Sequence, residues 1–208
     1  MLIQRLQAHF VISLGLTPLL ALSGAEPYDR TTWMLEVFPI IIALPVLWVT
    51  YRRFPLTTLV YSLIFLHACV LMVGGAYTYA RVPLGFQLAE WLDLSRNPYD
   101  KIGHFFQGFV PALIAREILI RGQYVSGKKM LMFIVICIVL AISATYELIE
   151  WAVAIAIEQG AYEFLGTQGD EWDTQSDMLL ALIGATTSLA LFSRIHDRQI
   201  VRLQSHRN

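Results

Sequence analysis

Apolar positions in this chain fall in long unbroken runs, neither alternating nor in one-sided helical stripes. Six runs stand out, over residues 10–22, 34–51, 56–79, 101–120, 130–157 and 177–192. Most approach the ~20 residues that a helix needs to cross a bilayer core. The first run is the shortest, and Ala21, Ser23 and Ala25 near its end imitate a signal-peptide cleavage site. The segment before it is only weakly basic, with Arg5 alone, which favours a retained helix. Prolines punctuate the runs: Pro27 in the first outer loop, Pro55 opening the third run and Pro98 just ahead of the fourth.

Composition turns these runs into membrane spans. Of 208 residues, 56% are hydrophobic and 15% charged, and mean hydropathy is +0.57. A soluble domain of this size could not hide so much apolar surface. The net charge of -1 leaves no basic stripe to neutralise phosphates, which excludes nucleic acid as a partner. Cys69 and Cys137 lie in apolar runs with no CxxC partner and no histidine at ligand spacing, and read as small buried hydrophobes.

Placement of the charges fixes sidedness. With the N-terminus in the cytoplasm, eleven basic residues fall inside: Arg5, Arg52, Arg53, Arg116, Arg121, Lys128, Lys129, Arg194, Arg198, Arg202 and Arg207. Four fall outside: Arg30, Arg81, Arg96 and Lys101. Among the acids only Glu117 and Asp197 fall inside. The positive-inside rule therefore predicts an all-α, polytopic membrane helical bundle of about six transmembrane helices, forming one domain with both termini cytoplasmic. No internal repeat appears, nor an inverted symmetry with matching broken helices, which lowers the weight of a transporter.

The outer loops are not bare linkers. Between Arg81 and Tyr99, apolar Leu84, Phe86, Leu88, Trp91, Leu92 and Leu94 interleave with Glu90 and Asp93, as in a short interfacial helix. The loop 158–176 carries Tyr162, Phe164 and Trp172, the usual interfacial anchors. Tyrosines and tryptophans elsewhere read as the same aromatic belt.

Ionisable groups inside a bilayer are expensive and so mark function. Three clusters share one level. In Asn97–Gly108, Asp100, His104 and Gln107 lie within about 60° of one another on a helix, and Lys101 points away. In Ser143–Trp151, Glu147 and Glu150 share a face with Ser143, about 26 Å along a helix rising from the cytoplasm. In Gly169–Met178, Asp173 and Asp177 stand i, i+4 at the mouth of the last helix. So many like charges need compensation: Lys101, protonation, or a divalent cation bound by His104, Glu147, Glu150, Asp173 and Asp177. Ordinary structural roles compete, namely helix capping for Asp173 and Asp177, a solvent-exposed helix end for Glu147 and Glu150, and an N-cap with a hydrogen-bonded histidine for Asp100 and His104. His67, about 18 Å into its helix, reads as a partner for a neighbouring carbonyl.

These stretches carry a resemblance. Tyr99-Asp100-Lys101-Ile102-Gly103-His104-Phe105, Tyr146-Glu147-Leu148-Ile149-Glu150-Trp151 and Gly169-Asp170-Glu171-Trp172-Asp173-Thr174-Gln175-Ser176-Asp177-Met178 make the chain resemble the YjdF-type family of bacterial inner-membrane proteins over nearly its whole length. The order Asp-Lys-x-x-His-Phe, Tyr-Glu and a late Asp is more distantly similar to VanZ-like membrane proteins. Here the basic residue before the late Asp is missing, and Glu150 stands where those proteins tend to have Gln. The resemblance implies a multi-pass fold in the inner membrane and names no reaction.

Two function classes remain. One is an enzyme at the outer leaflet acting on a lipid or lipid-linked envelope substrate. In it His104 is ligand or general base, Asp100 and Lys101 assist, and a divalent metal polarises a phosphoryl or acyl oxygen. The chain has no GxSxG, HExxH or Cys/His pair to support serine-hydrolase or zincin chemistry. The other is a non-catalytic membrane protein, either an ion- or proton-coupled carrier or a structural subunit whose acids seal helix contacts.

Overall fold

A computed structural model describes residues 15–157 and 168–205, and every described element is helical or a turn. Helix α1 is described over 15–23, followed by α2 (Arg30–Thr50), α3 (Thr58–Tyr77), a 3-10 turn at Tyr79–Arg81, α4 (Pro83–Trp91), α5 (Tyr99–Arg121), α6 (Lys128–Ile157) and α7 (Asp173–Ser205). Arg5, Arg207, the start of the first expected span and the anchors Tyr162 and Phe164 lie outside the described residues.

Among the described residues four helices, α2, α3, α6 and α7, are long and apolar enough to cross a membrane. Helix α5 is long enough at 23 residues, about 34 Å, but Asp100, Lys101, Arg116, Glu117 and Arg121 make it too polar to stand with them. It is instead the axial helix, packed against α3, α6 and α7. Helix α7 runs well past the expected end at 192, since its second half keeps burying His196, Ile200 and Leu203. The expected interfacial helix is α4, with Phe86 and Trp91 exposed.

The outward faces explain the composition. Phe38, Ile42, Val46 and Val49 of α2 and Phe133, Leu148 and Ile155 of α6 are all exposed, as expected of helices whose solvent is lipid. Cys137 also faces outward, so its expected burial holds only within the bilayer; Cys69 is half-buried. One buried cluster joins α2, α3 and α5 through Val37, Val60 and Leu113. A second joins α5, α6 and α7 through Ala112, Val135, Ala181 and Ala185.

The α5–α7 crossing is held backbone to backbone. A Cβ on Gly108 would overlap the carbonyl of Ala181, and one on Gly184 would overlap the carbonyl of Phe105. Small residues permit this approach, which is how helices associate where lipid gives no hydrophobic drive between them. The crossing puts the start of α7 beside the start of α5, and hence Asp177 beside His104.

Candidate functional site

At the end of the bundle opposite the Arg- and Lys-rich turns, the polar residues of α5, α6 and α7 meet. His104 is buried, and its two ring nitrogens face different partners. Nε2 looks at Asp100 Oδ1 (3.5 Å) and Asp177 Oδ2 (3.8 Å). Nδ1 looks at Gln107 Oε1 (3.3 Å) and Glu147 Oε1 (3.7 Å). One ligand atom each from Asp100, His104 and Asp177 can be chosen so that all lie within 4.8 Å of one another. Asp177 is 2% exposed, yet its Oδ1 has no hydrogen-bond partner among the described residues, and neither has Glu147 Oε1.

A proton on Nδ1, given to Gln107, leaves the Nε2 lone pair facing two carboxylates. Three acceptors then converge with no donor between them. Such an arrangement needs a cation or a shared proton. The other ring nitrogen held by a hydrogen bond is the usual outer support of a metal-binding histidine.

The remaining expected residues divide. Glu150 is buried and lines a cavity of about 140 Å³ together with Asp100 and His104. Asp173 stands a turn above Asp177, but its carboxylate meets Arg96 Nη1 at 2.8 Å, so its charge is already balanced. Arg96 also donates to Asp170 (2.8 Å). Beside this pair the Gln168 side-chain amide accepts from the Asn97 backbone N–H (3.2 Å) and donates to the Asn97 carbonyl (3.0 Å), tying the loop before α7 to the start of α5. Among the described residues no ion pair joins Lys101 to the acids of the cluster.

The described helices therefore form the bundle of a membrane protein with a polar chamber at one end. Residues 8–198 match the family described as "Predicted membrane protein (DUF2238)". The chain belongs to this family. It is 62% identical over 190 residues to "Inner membrane protein YjdF" of Escherichia coli (strain K12), covering 91% of each chain. No solved structure matches it. This DUF2238 chain is thus a multi-pass protein of the bacterial inner membrane.

Sequence reading missed part of the family member's chamber. Glu36 of α2 is 5% exposed and lines the cavity, accepting a hydrogen bond from the Tyr146 hydroxyl (3.3 Å). Its signal was a lone acid within an apolar run. Tyr146 belongs to this wall, and so does Tyr79, which is therefore not part of an aromatic belt. Gly74 and Gly103 make room for the Tyr79 ring, which a Cβ on either would overlap. His67 reaches the floor of the same cavity, and its Nε2 has no hydrogen-bond partner among the described residues.

A second polar cluster, also missed, sits at the basic end of α5. Glu117 is fully buried. It accepts from the Thr57 backbone N–H (3.0 Å), the Thr57 hydroxyl (2.8 Å), Arg121 Nη1 (2.6 Å) and His196 Nε2 (3.0 Å). Arg121 also donates to the Pro55 carbonyl, and Arg116 to Asp197 (both 2.6 Å). Gln199 of α7 accepts from the Leu59 N–H in the first turn of α3. This network clamps α3, α5 and α7 together and leaves none of Glu117's bonding capacity idle.

Proposed function

We propose that Asp100, His104 and Asp177 hold a divalent cation, and that the protein is an enzyme working on a lipid or lipid-linked envelope substrate at the outer leaflet. The observation that carries this reading is the convergence on His104 Nε2 of two carboxylates, one of them buried with an unpartnered oxygen. Two carboxylates and one imidazole suit zinc, manganese or magnesium and leave positions open for a substrate oxygen or water. Such an ion would polarise a phosphoryl or acyl oxygen or activate water. Glu147 and Gln107 orient the imidazole from its other nitrogen. Glu36, Glu150 and the Tyr146 hydroxyl supply proton-handling groups in the same cavity.

Metal analysis of the detergent-purified protein tests this. The wild type is expected to carry one equivalent of divalent metal, lost in Asp177→Asn and in His104→Ala. Absence of stoichiometric metal from the wild type, or its retention in Asp177→Asn, refutes the site. One observation favours a carrier instead: His67, deep in its helix, lines the same cavity. Proton or cation flux in vesicles that stops with His67→Ala, from protein without bound metal, decides for that reading.

A further inference from the structure

The polar cavity has a side door. Helix α2 packs on α3, and α6 packs on α5 and α7, but α2 and α6 do not pack along one another. Between them runs a cleft of about 340 Å³, lined by Leu35, Phe38, Ile42 and Val46 of α2 and by Ile149 of α6. Pro39, Tyr146 and Glu150 line both the cleft and the polar cavity, so the two spaces adjoin across these three side chains. The hydrogen bond from the Tyr146 hydroxyl to Glu36 crosses from one helix to the other at the head of the cleft.

We infer that the α2–α6 cleft seats one hydrocarbon chain of a phospholipid taken sideways from the outer leaflet, with the lipid's polar head in the His104 cavity. Position argues for this occupant. The cleft opens on the faces of two membrane-spanning helices, where only lipid or another protein can meet it, and apart from Tyr146 and Glu150 its lining is apolar, with no backbone edge for a protein partner. Length argues for it too. From Glu36 at the head to Val46 is ten residues of α2, about 15 Å, the depth of one leaflet of a ~30 Å core. The order of surfaces, carboxylates and tyrosines at the head and the apolar side chains of Phe38, Ile42 and Val46 beyond them, matches an amphiphile lying along the membrane normal. Pro39 at the junction has no N–H for the carbonyl of Leu35, which loosens α2 where the head must pass the wall.

This inference rests on the lipid-substrate reading but not on the metal, so the two fail separately. The protein is reconstituted in vesicles of phosphatidylethanolamine and phosphatidylglycerol, re-extracted in mild detergent, and examined by native mass spectrometry beside elemental analysis. Wild type is expected to retain one phospholipid. Ile42→Trp, which fills the cleft, is expected to retain at least tenfold less with its metal content unchanged. Val49→Trp, on the exposed face of the same helix, is expected to retain lipid as the wild type does. Absence of a one-lipid adduct from the wild type, or equal retention by Ile42→Trp, overturns the inference whatever the metal content. Lipid retained with no metal present keeps the cleft and removes the metal site.

Discussion

Gly184→Ala is the sharpest probe of how the fold makes the site. Gly184 of α7 lies against the Phe105 carbonyl and the Phe109 N–H of α5, and Gly108 of α5 lies reciprocally against the Ala181 carbonyl. Ordinary contact for a Cβ begins near 3.4 Å, and the added methyl would sit little more than half that distance from the Phe105 oxygen. The opposing atoms are backbone and cannot rotate away, so the helices must part by about 1.5 Å. Overpacking of this kind destabilises by about 1–3 kcal/mol, with the upper end expected here. The better helix propensity of alanine returns about 1 kcal/mol. A net loss of about 2 kcal/mol should appear as a lowered unfolding midpoint in detergent. The site should suffer more. Asp177 lies 3.8 Å from His104 Nε2, and parting the helices carries it beyond the roughly 4 Å that a cation with bonds near 2 Å can bridge. Metal affinity, measured by competition with a chelator, should fall at least tenfold. A Gly184→Ala protein that unfolds like the wild type and binds metal equally well would refute both the rigidity of the crossing and its role in assembling the ligands.

Two further substitutions probe other parts of the fold. Glu117→Gln removes the charge that Arg121 and His196 share, and should destabilise by about 3 kcal/mol, as breaking a buried ion pair does; folded protein should keep its outer-site metal, and wild-type stability would show the clamp to be dispensable. Asp29, the N-cap of α2, accepts from the Thr32 N–H at 2.7 Å, which holds its carboxyl below the usual carboxylate range. Asp29→Ala should cost about 1 kcal/mol above pH ~4, the difference fading as pH falls through the lowered value, because the cap strengthens only the ionised form; a difference constant into acid would refute the assignment.

The bundle was legible because hydropathy in lipid is a strong, local signal. Runs of apolar residues gave α2, α3, α6 and α7, and the interleaved aromatics gave α4. Depth counting along each helix placed Asp100, His104, Glu147 and Asp177 at one level, and the α5–α7 crossing then brought them together. What stayed hidden depends on which helix faces which. Glu36 sits alone in its run, and only the α3 hairpin that carries α2 shows that it turns toward His104 and not toward lipid. Asp173 repeats the spacing that marks Asp177, but Arg96, 77 residues earlier, claims it. Such pairings across long separations leave no periodicity to read. The inner clamp was invisible for the same reason: Thr57, Glu117 and His196 come from three helices.

The two ends of α5 offer an internal control for the proposed site. Both bury an acid and a histidine against a neighbouring helix, so both carry the same desolvation problem. At the basic end the chain solves it alone. Both oxygens of Glu117 are engaged by backbone, hydroxyl, imidazole and guanidinium donors, and Arg116 pairs in turn with Asp197. At the other end the same kind of sequence stops short. Among the described residues Asp177 and Glu147 each keep a buried oxygen without a hydrogen-bond partner, and Arg96 is paired with Asp170 and Asp173. Most buried polar groups in native proteins find a hydrogen-bond partner, and a buried carboxylate oxygen without one is among the costlier exceptions. The contrast between the two ends of one helix is what the proposed cation would resolve: bound between Asp100, His104 and Asp177, it would balance the acids that no Arg or Lys of the described residues pairs with there, and a proton shared through His104 is the alternative that metal analysis separates from it.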